Sequence, residues 1–385
     1  MRVLHTSDWH VGRSFHGHDL LPDQRTVLAA IAELVAQHAV DVVVVAGDLY
    51  DRAIPSTEAI GTLTEALRSI RAAGAQIIAS SGNHDSAPRL GAFTDFLAAG
   101  GLHLRTSLAR IADPVLLQDE HGPVAFYPVP YLEPEVVRRA FEIEGSASHQ
   151  SVMSAAMDKV RSDLAARPGT RSVVLAHAFV VGSVAGGSER SIAVGGVESV
   201  TGEVFAGIDY VALGHLHGSQ TLADRLRYSG SPLAYSFTEA GHRKSVWLVD
   251  LGANGAVRAR AVELPVPRPL AVVSGTLSGV LAGHDHLVEH YLAVELTDPV
   301  RPLEAMRRLR EKFPYAVTLN WQPPAGTPER RPVAAAGRAG AAGLSDADLI
   351  SAFLLDCRGS SPSERESTLI EAALPSAMAA DVVAG

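Results

Sequence analysis

Valine fills residues 42–45 and Ala46 extends the apolar run, which stops at Gly47-Asp48. A run this short and continuous predicts a strand buried on both faces, not a half-exposed one. Before it, residues 20–38 place Val27, Ile31, Leu34 and Val35 at helical spacing. Residues 55–73 repeat that spacing with Ile60, Leu63, Leu67 and Ile70, and Gly74 stops the helix. Residues 2–6 and 76–80 predict two further strands. The first runs into Ser7-Asp8-Trp9-His10 and the second into Gly82-Asn83-His84-Asp85. Strand–helix repeats in this order predict βαβ units and an α/β fold with a largely parallel sheet.

The pattern continues with a helix at 89–99, a strand at 124–129 before the turn Pro128-Val129-Pro130, and a helix at 152–166. Residues 171–176 predict a strand ending at His177, and 210–213 one ending in Gly214-His215-Leu216-His217. Residues 227–235 and 245–249 read as closing strands. The Gly/Ser-rich stretch 182–196 reads either as a solvated connection or as a mobile substrate loop.

Composition shifts at Pro265-Val266-Pro267-Arg268-Pro269, a natural boundary. Beyond it a strand–helix–strand pattern spans 290–296, 302–313 and 316–321. Arg301, Arg307, Arg308, Arg310 and Lys312 outnumber Glu304 and Glu311 there, which fits a solvated face or a phosphate-backbone contact surface. Residues 323–343, rich in Pro, Ala and Gly, predict a linker. Two short helices follow, capped by Ser345 and Ser363. Their stripes of Ile350, Phe353, Leu354, Leu369, Ile370 and Leu374 are too small a pair to form a core alone, so they must dock on the main body or on a partner. The expected domains are 1–265, a small unit at 266–332, a linker at 333–343 and a helical segment at 344–385.

Bulk composition adds limits. At 385 residues the chain exceeds one ordinary domain, and 47% hydrophobic residues suffice for a sizeable core. The net charge of -9 argues against a general nucleic-acid coat, but not against a site whose positive charge comes from metal ions. Cys357 is the single cysteine, so no internal disulfide forms and a reducing compartment is expected. The first residues lack the apolar core of a signal peptide, and no apolar run approaches membrane-spanning length. A soluble, cytoplasmic protein is expected.

The strand ends carry the chemistry. Asp8, His10, Asp48, Asn83, His84, His177, His215 and His217 each follow a predicted strand. In extended backbone Asp8 and His10 share one side, as do His215 and His217. For Asp48 alone, a helix cap is the plain alternative. Together, a mixed set of carboxylate, amide and imidazole suits Mn, Fe or Zn in a two-metal site.

At these residues the sequence resembles the calcineurin-like metallophosphoesterases: Asp8-x-His10, Gly47-Asp48-x-x-Asp51, Gly82-Asn83-His84-Asp85, His177 and Gly214-His215-x-His217. Longer stretches resemble one branch, the SbcD family of bacterial DNA-repair nuclease subunits. They are His5-Thr6-Ser7-Asp8-Trp9-His10, residues 47–51, residues 212–217 and Tyr228-Ser229-Gly230-Ser231-Pro232-Leu233 with Ser236-Phe237. The resemblance implies a four-layer β-sandwich flanked by helices, a small α/β capping domain and a C-terminal helical segment. It implies that Asp8, His10, Asp48 and His217 hold one metal, and Asp48, Asn83, His177 and His215 a second, most often Mn²⁺. His84 would be catalytic without being a ligand, and Asp85 either orients it or is an exposed cap. The implied activity is a DNA exonuclease and endonuclease that processes ends and hairpins in repair and recombination. The implied partners are DNA, a second copy of the chain and an SbcC-type, SMC-like ATPase gripped by the C-terminal helices. This chain itself has no Walker A pattern. The dimer contact would use Leu63, Leu67, Phe93, Phe96 and Leu97, which could equally face the domain's own sheet.

Two positions depart from relatives. Asp51 stands where archaeal relatives have histidine, which leaves its role open. Ala53 and Asp85 break the patterns of the family's protein phosphatases. A phosphatase or small-substrate phosphodiesterase, and an inactive scaffold, are the competing readings; a scaffold would have lost ligands, and none is missing here.

Overall fold

The structure, a computed structural model, describes residues 1–185, 188–189, 199–324, 345–358 and 360–381, with 356–358 and 375–381 as backbone only. The 323–343 stretch lies outside the described residues from 325 onward, and the 182–196 stretch lies outside them at 186–187 and 190–196. The chain divides into two compact units, residues 1–270 and 271–385.

The first unit is built on two six-stranded sheets. In one, Arg2–Thr6, Val42–Ala46, Gln76–Ser80 and Leu102–Arg105 run parallel in that order. Ser245–Leu251 and Val257–Glu263 extend it antiparallel beyond Arg2–Thr6. In the other, Leu226–Tyr228, Tyr210–Gly214, Arg171–His177 and Gly122–Pro128 are parallel. Gln220–Ala223 and Val115–Asp119 are its antiparallel edges.

The valine run explains the stacking. Every residue of Val42–Ala46 has 0% exposure, so both of its faces are covered. Val42, Val44 and Ala46 meet Phe126, Val173, Leu175, Tyr210 and Ala212 of the second sheet in one core. Val43 and Val45 point the opposite way, by the period of a strand. That face lies toward the helices Leu21–Gln37 and Thr57–Ala72, which turn Ile31, Val35, Leu63 and Ile70 inward. On the far side of the second sheet, Tyr127, Val174, Ala176, Val211 and Leu213 pack on Val152, Met153, Ala156, Met157 and Val160 of the His149–Ala165 helix. The result is the four-layer helix–sheet–sheet–helix sandwich expected from the sequence. Helix starts follow side-chain chemistry: Ser56 accepts from the Ala59 N–H, and Ser148 and Ser151 form a reciprocal capping box.

Several elements differ from expectation. The helix expected at 89–99 is two pieces, Ala87–Leu90 and Thr94–Ala99, because Phe93 takes left-handed backbone at φ 62. The strand expected at 227–235 stops at Tyr228. Gly230 then turns at φ 76, where a Cβ would lie 2.7 Å from the His217 carbonyl, and the chain continues as a buried loop. Leu102–Arg105, Val115–Asp119 and the Pro134–Ala140 helix were not anticipated.

The second unit holds a three-stranded sheet of Leu270–Gly275, Tyr291–Leu296 and Ala316–Trp321. Its core joins Val273, Leu292, Val294 and Leu296 to Leu309 and Phe313. The Ala305–Lys312 helix bonds much of its cationic charge locally. Arg307 pairs with Glu304 and Glu311 at 2.6 Å each, Arg310 bonds the Ala316 carbonyl and Lys312 the Leu281 and Gly283 carbonyls. The tail forms Asp346–Arg358 and Glu364–Asp381. No helix among the described residues is long and apolar enough to cross a membrane.

Candidate metal centre

The parallel strands of both sheets end on one rim, and the loops leaving them carry the polar residues. Asp8, His10 and Asp48 sit at φ 53, 45 and 52, and His215 at φ 102. The extended backbone expected for Asp8 and His10 is therefore not what brings them together. Non-glycine residues held in this region cost about 1–3 kcal/mol each and persist only where the surroundings over-determine them. Here the surroundings are a backbone zipper: Asp8 N–H donates to the Gly47 carbonyl, His10 N–H to that of Asp48 and Val11 N–H to that of Leu49, at 2.9–3.1 Å. Buried Gln24 fastens the loop, donating to the Trp9 and His10 carbonyls and accepting from Gly12 N–H. Gly47, at φ +86, can be nothing larger, since a Cβ would lie 2.4 Å from His177 Nδ1.

Ligand-capable atoms of Asp8, His10 and His217 lie within 4.8 Å of one another. So do those of Asp8, Asp48 and His177, and those of His10, Asp48 and His84. Asp48 and His10 therefore link the groups into one cluster. Two of its histidines have their tautomer set by the partner of Nδ1. His177 Nδ1–H donates to the Ala46 carbonyl at 2.9 Å, so its Nε2 faces Asn83 Oδ1 at 2.9 Å and Asp48 Oδ2 at 3.3 Å. His217 Nδ1 faces Ser188 Oγ at 2.5 Å and Glu239 Oε1 at 3.4 Å, so its Nε2 is turned to His10 Nε2 at 3.1 Å.

Nε2 of both rings is thus turned into the cluster, toward further nitrogen and oxygen donors. The buried Asn83 Nδ2 and His10 Nδ1 have no hydrogen-bond partner. A buried set of imidazole, carboxylate and amide groups this close together suits a divalent cation. The cluster stabilises positive charge at His177 and negative charge at Asp48. Burial opposes charge on His177, yet the Asp48 carboxylate overrides it and pushes His177 up to about 9. Asp48, despite burial, is held well below the usual carboxylate range by His177, His10 and His84. Burial pushes Asp8 up to about 6.

The remaining residues have distinct places. The His215 N–H donates to both Asp8 carboxylate oxygens, at 3.0 and 3.2 Å, and its ring stands edge-on to His177 at 5.3 Å. His84 N–H donates to Asp48 Oδ1 at 2.9 Å, and its Nδ1 bonds the Asp51 carbonyl at 2.8 Å. Asp85, expected either to orient His84 or to cap, instead accepts from the N–H groups of Leu49, Tyr50 and Gly82. It clamps the Asp48 loop to the Asn83 loop, and burial with the nearby Asp48 charge pushes it up to about 7. The Asp51 carboxylate lies 3.6 Å from His10 Nδ1 and 3.4 Å from Arg13 Nη1. The helix-cap alternative for Asp48 does not hold, since Ser56 caps the next helix.

Sequence reasoning missed Tyr235, Glu239 and Lys244. The Tyr235 ring lies 5.4 Å from the rings of both His10 and His217, and its hydroxyl donates to the Trp9 carbonyl. All three follow the 228–233 stretch closely, which was the available signal. His5 is a core histidine: its ring bonds the Tyr210 hydroxyl and the Leu213 carbonyl, and burial lowers it to about 3.

The family described as calcineurin-like phosphoesterase matches residues 1–219. Among solved structures, TT1561 of Thermus thermophilus is similar over 68% of this chain and 98% of its own, at 13% identity and TM-score 0.38. A dimetal phosphatase from Danio rerio matches 69% of this chain and 99% of its own, at 14% identity and TM-score 0.38. GAP50 of Plasmodium, titled the anchor in the inner membrane complex, matches 84% and 98%, at 11% identity and TM-score 0.40.

Proposed function

The chain belongs to the calcineurin-like phosphoesterase family, and on that premise we propose that it is a two-metal phosphodiesterase acting on DNA, the SbcD-type nuclease partner of an SbcC-type ATPase. The observation that carries the phosphodiester chemistry is the sharing of Asp48 between the His10 side and the His177 side of one buried cluster. Asp8, His10, Asp48 and His217 would hold one divalent ion, and Asp48, Asn83, His177 and His215 the other, with Mn²⁺ the ion that suits this mixed donor set. Bound there, the pair supplies the charge neutralisation and nucleophile activation that phosphodiester hydrolysis needs.

The protein's own groups do the rest. The Asp48 carboxylate, placed between the two groups, would offset the repulsion of two cations held there, and the imidazoles would complete the set without over-neutralising it. His84 Nδ1–H is tied to the Asp51 carbonyl, so the proton for the leaving oxygen would come from Nε2 of the doubly protonated ring, which returns to the neutral imidazole. The DNA reading rests on the stretches at 5–10, 47–51, 212–217 and 228–237 that resemble SbcD subunits, and on the departures from phosphatases at Ala53 and Asp85. The purified chain with Mn²⁺ is expected to cut hairpin DNA as well as bis-p-nitrophenyl phosphate, and a chelator to stop both. Hydrolysis of the small ester alone would overturn the DNA reading. A chain ending near residue 332 is expected to keep the nuclease and lose the ATPase; undiminished association would sink the tail's proposed role.

We also propose that the chain pairs with a second copy. Ile54, Phe93 and Phe96 are 71, 75 and 80% exposed. A groove of about 860 Å³, lined by Ile54, Ile60, Leu67, Leu90 and Leu97, runs through this apolar region. Leu63, also expected at the contact, is buried in its own domain. Light scattering at micromolar concentration is expected to give the mass of two chains, and Phe93→Asp with Phe96→Asp the mass of one. A parent mass of one chain would refute the pairing.

A further inference from the structure

The two histidines whose tautomers are set are backed by unlike groups. Behind His177 stands a neutral carbonyl, Ala46. Behind His217 stands a carboxylate, Glu239, which the chemistry of the site does not otherwise use. Glu239 is 1% exposed and Lys244 4%. Glu239 Oε1 accepts from the Ser188 hydroxyl, whose Oγ is the nearer partner of His217 Nδ1 at 2.5 Å. Oε1 itself lies 3.4 Å from that nitrogen, so the carboxylate backs the ring largely through Ser188. Its Oε2 accepts from Lys244 Nζ at 2.7 Å and from Tyr235 N–H at 3.3 Å. Lys244 Nζ has two more acceptors, the His217 carbonyl at 2.9 Å and Ser231 Oγ at 3.0 Å. One buried ammonium therefore holds both the backbone of His217 and the carboxylate behind its ring.

We propose that Glu239, clamped by Lys244, is a positioning residue that sets the affinity of the one ion His217 helps to hold, leaving the second ion to His177 and its carbonyl. The inference rests on the two-ion reading of the site. A carboxylate accepting from a histidine N–H fixes the tautomer, aims the other nitrogen and raises its basicity. A carbonyl fixes the tautomer and aims the ring but carries no net charge. The pair is also structural, since breaking a buried ion pair by removing one partner strands the other charge. The test must separate the two roles.

Mn²⁺ titration followed by electron paramagnetic resonance of the free ion, with urea unfolding alongside, does so. The parent is expected to bind two ions. Glu239→Gln is expected to weaken one of them by about 10–100-fold, leave the other as in the parent, and lower the unfolding midpoint. The double variant Glu239→Gln with Lys244→Met removes both buried charges and is expected to recover the midpoint without recovering the weakened ion. Parent-like binding of both ions by the double variant would show Glu239 to be only a structural partner of Lys244 and overturn the inference. Equal weakening of both ions would overturn it too, since the effect would not be specific to His217. A parent that binds fewer than two ions would instead refute the reading of the site itself, and the inference with it.

Discussion

Asp48→Asn is expected to lose at least one of two Mn²⁺ ions per chain while remaining folded. The amide keeps the shape of the side chain, and its oxygen can still accept from the His84 N–H, which lies 2.9 Å from Asp48 Oδ1. The charge is what disappears. Two cations would then face each other across a neutral group. The carboxylate that stabilises positive charge near His177 Nε2, 3.3 Å from Asp48 Oδ2, would be gone as well. An ion acting as Lewis acid contributes several kcal/mol to the transition state, so turnover should fall about 10³-fold or more. Mass spectrometry for metal content, with single-turnover cleavage, checks this. A variant that keeps both ions would remove Asp48 from the bridging role.

His84→Gln is expected to separate binding from chemistry. His84 is not assigned as a ligand, although its ring lies edge-on to His10 at 4.6 Å and within reach of Asp48. Its Nδ1 is already bonded to the Asp51 carbonyl, and glutamine can keep that anchor with its amide N–H. What glutamine cannot do is give up a proton. Both ions and DNA affinity should therefore persist, while turnover falls by about 10²- to 10⁴-fold, the usual worth of a positioned general acid. Loss of metal like that of Asp48→Asn would make His84 a ligand. Cleavage at the parent rate would leave it with no catalytic role.

The residues that cluster at the rim were legible because buried parallel strands appear in sequence as continuous apolar runs. Residues 42–46 and 210–213 are such runs, and a polar residue just beyond one falls at the rim where the parallel strands end. The route from strand to site was not legible. Nothing in Asp8-Trp9-His10 signals left-handed backbone, since no glycine is present; it follows from bonds to a loop forty residues away. Leu102–Arg105 and Val115–Asp119 are edge strands, covered less completely than the central ones, so their apolar pattern is weak. Glu239 and Lys244 read as ordinary surface charges until the fold places them behind His217. The break at Phe93 has no local cause in the sequence either, since a phenylalanine rarely takes that backbone.

The cluster draws on both sheets. Asp8, His10, Asp48 and Asn83 follow strands of one, and His177, His215 and His217 follow strands of the other. On the proposed two-ion assignment neither sheet carries a complete set for either ion, so metal affinity would exist only once the two layers have closed on each other. By mass action, an ion at 100 times its Kd then favours the closed sandwich by about 2.7 kcal/mol over any state in which the layers are apart. Ions held there would act as rivets through the sandwich at this rim, and depleting them is expected to loosen the seam between the sheets as well as to stop the proposed chemistry.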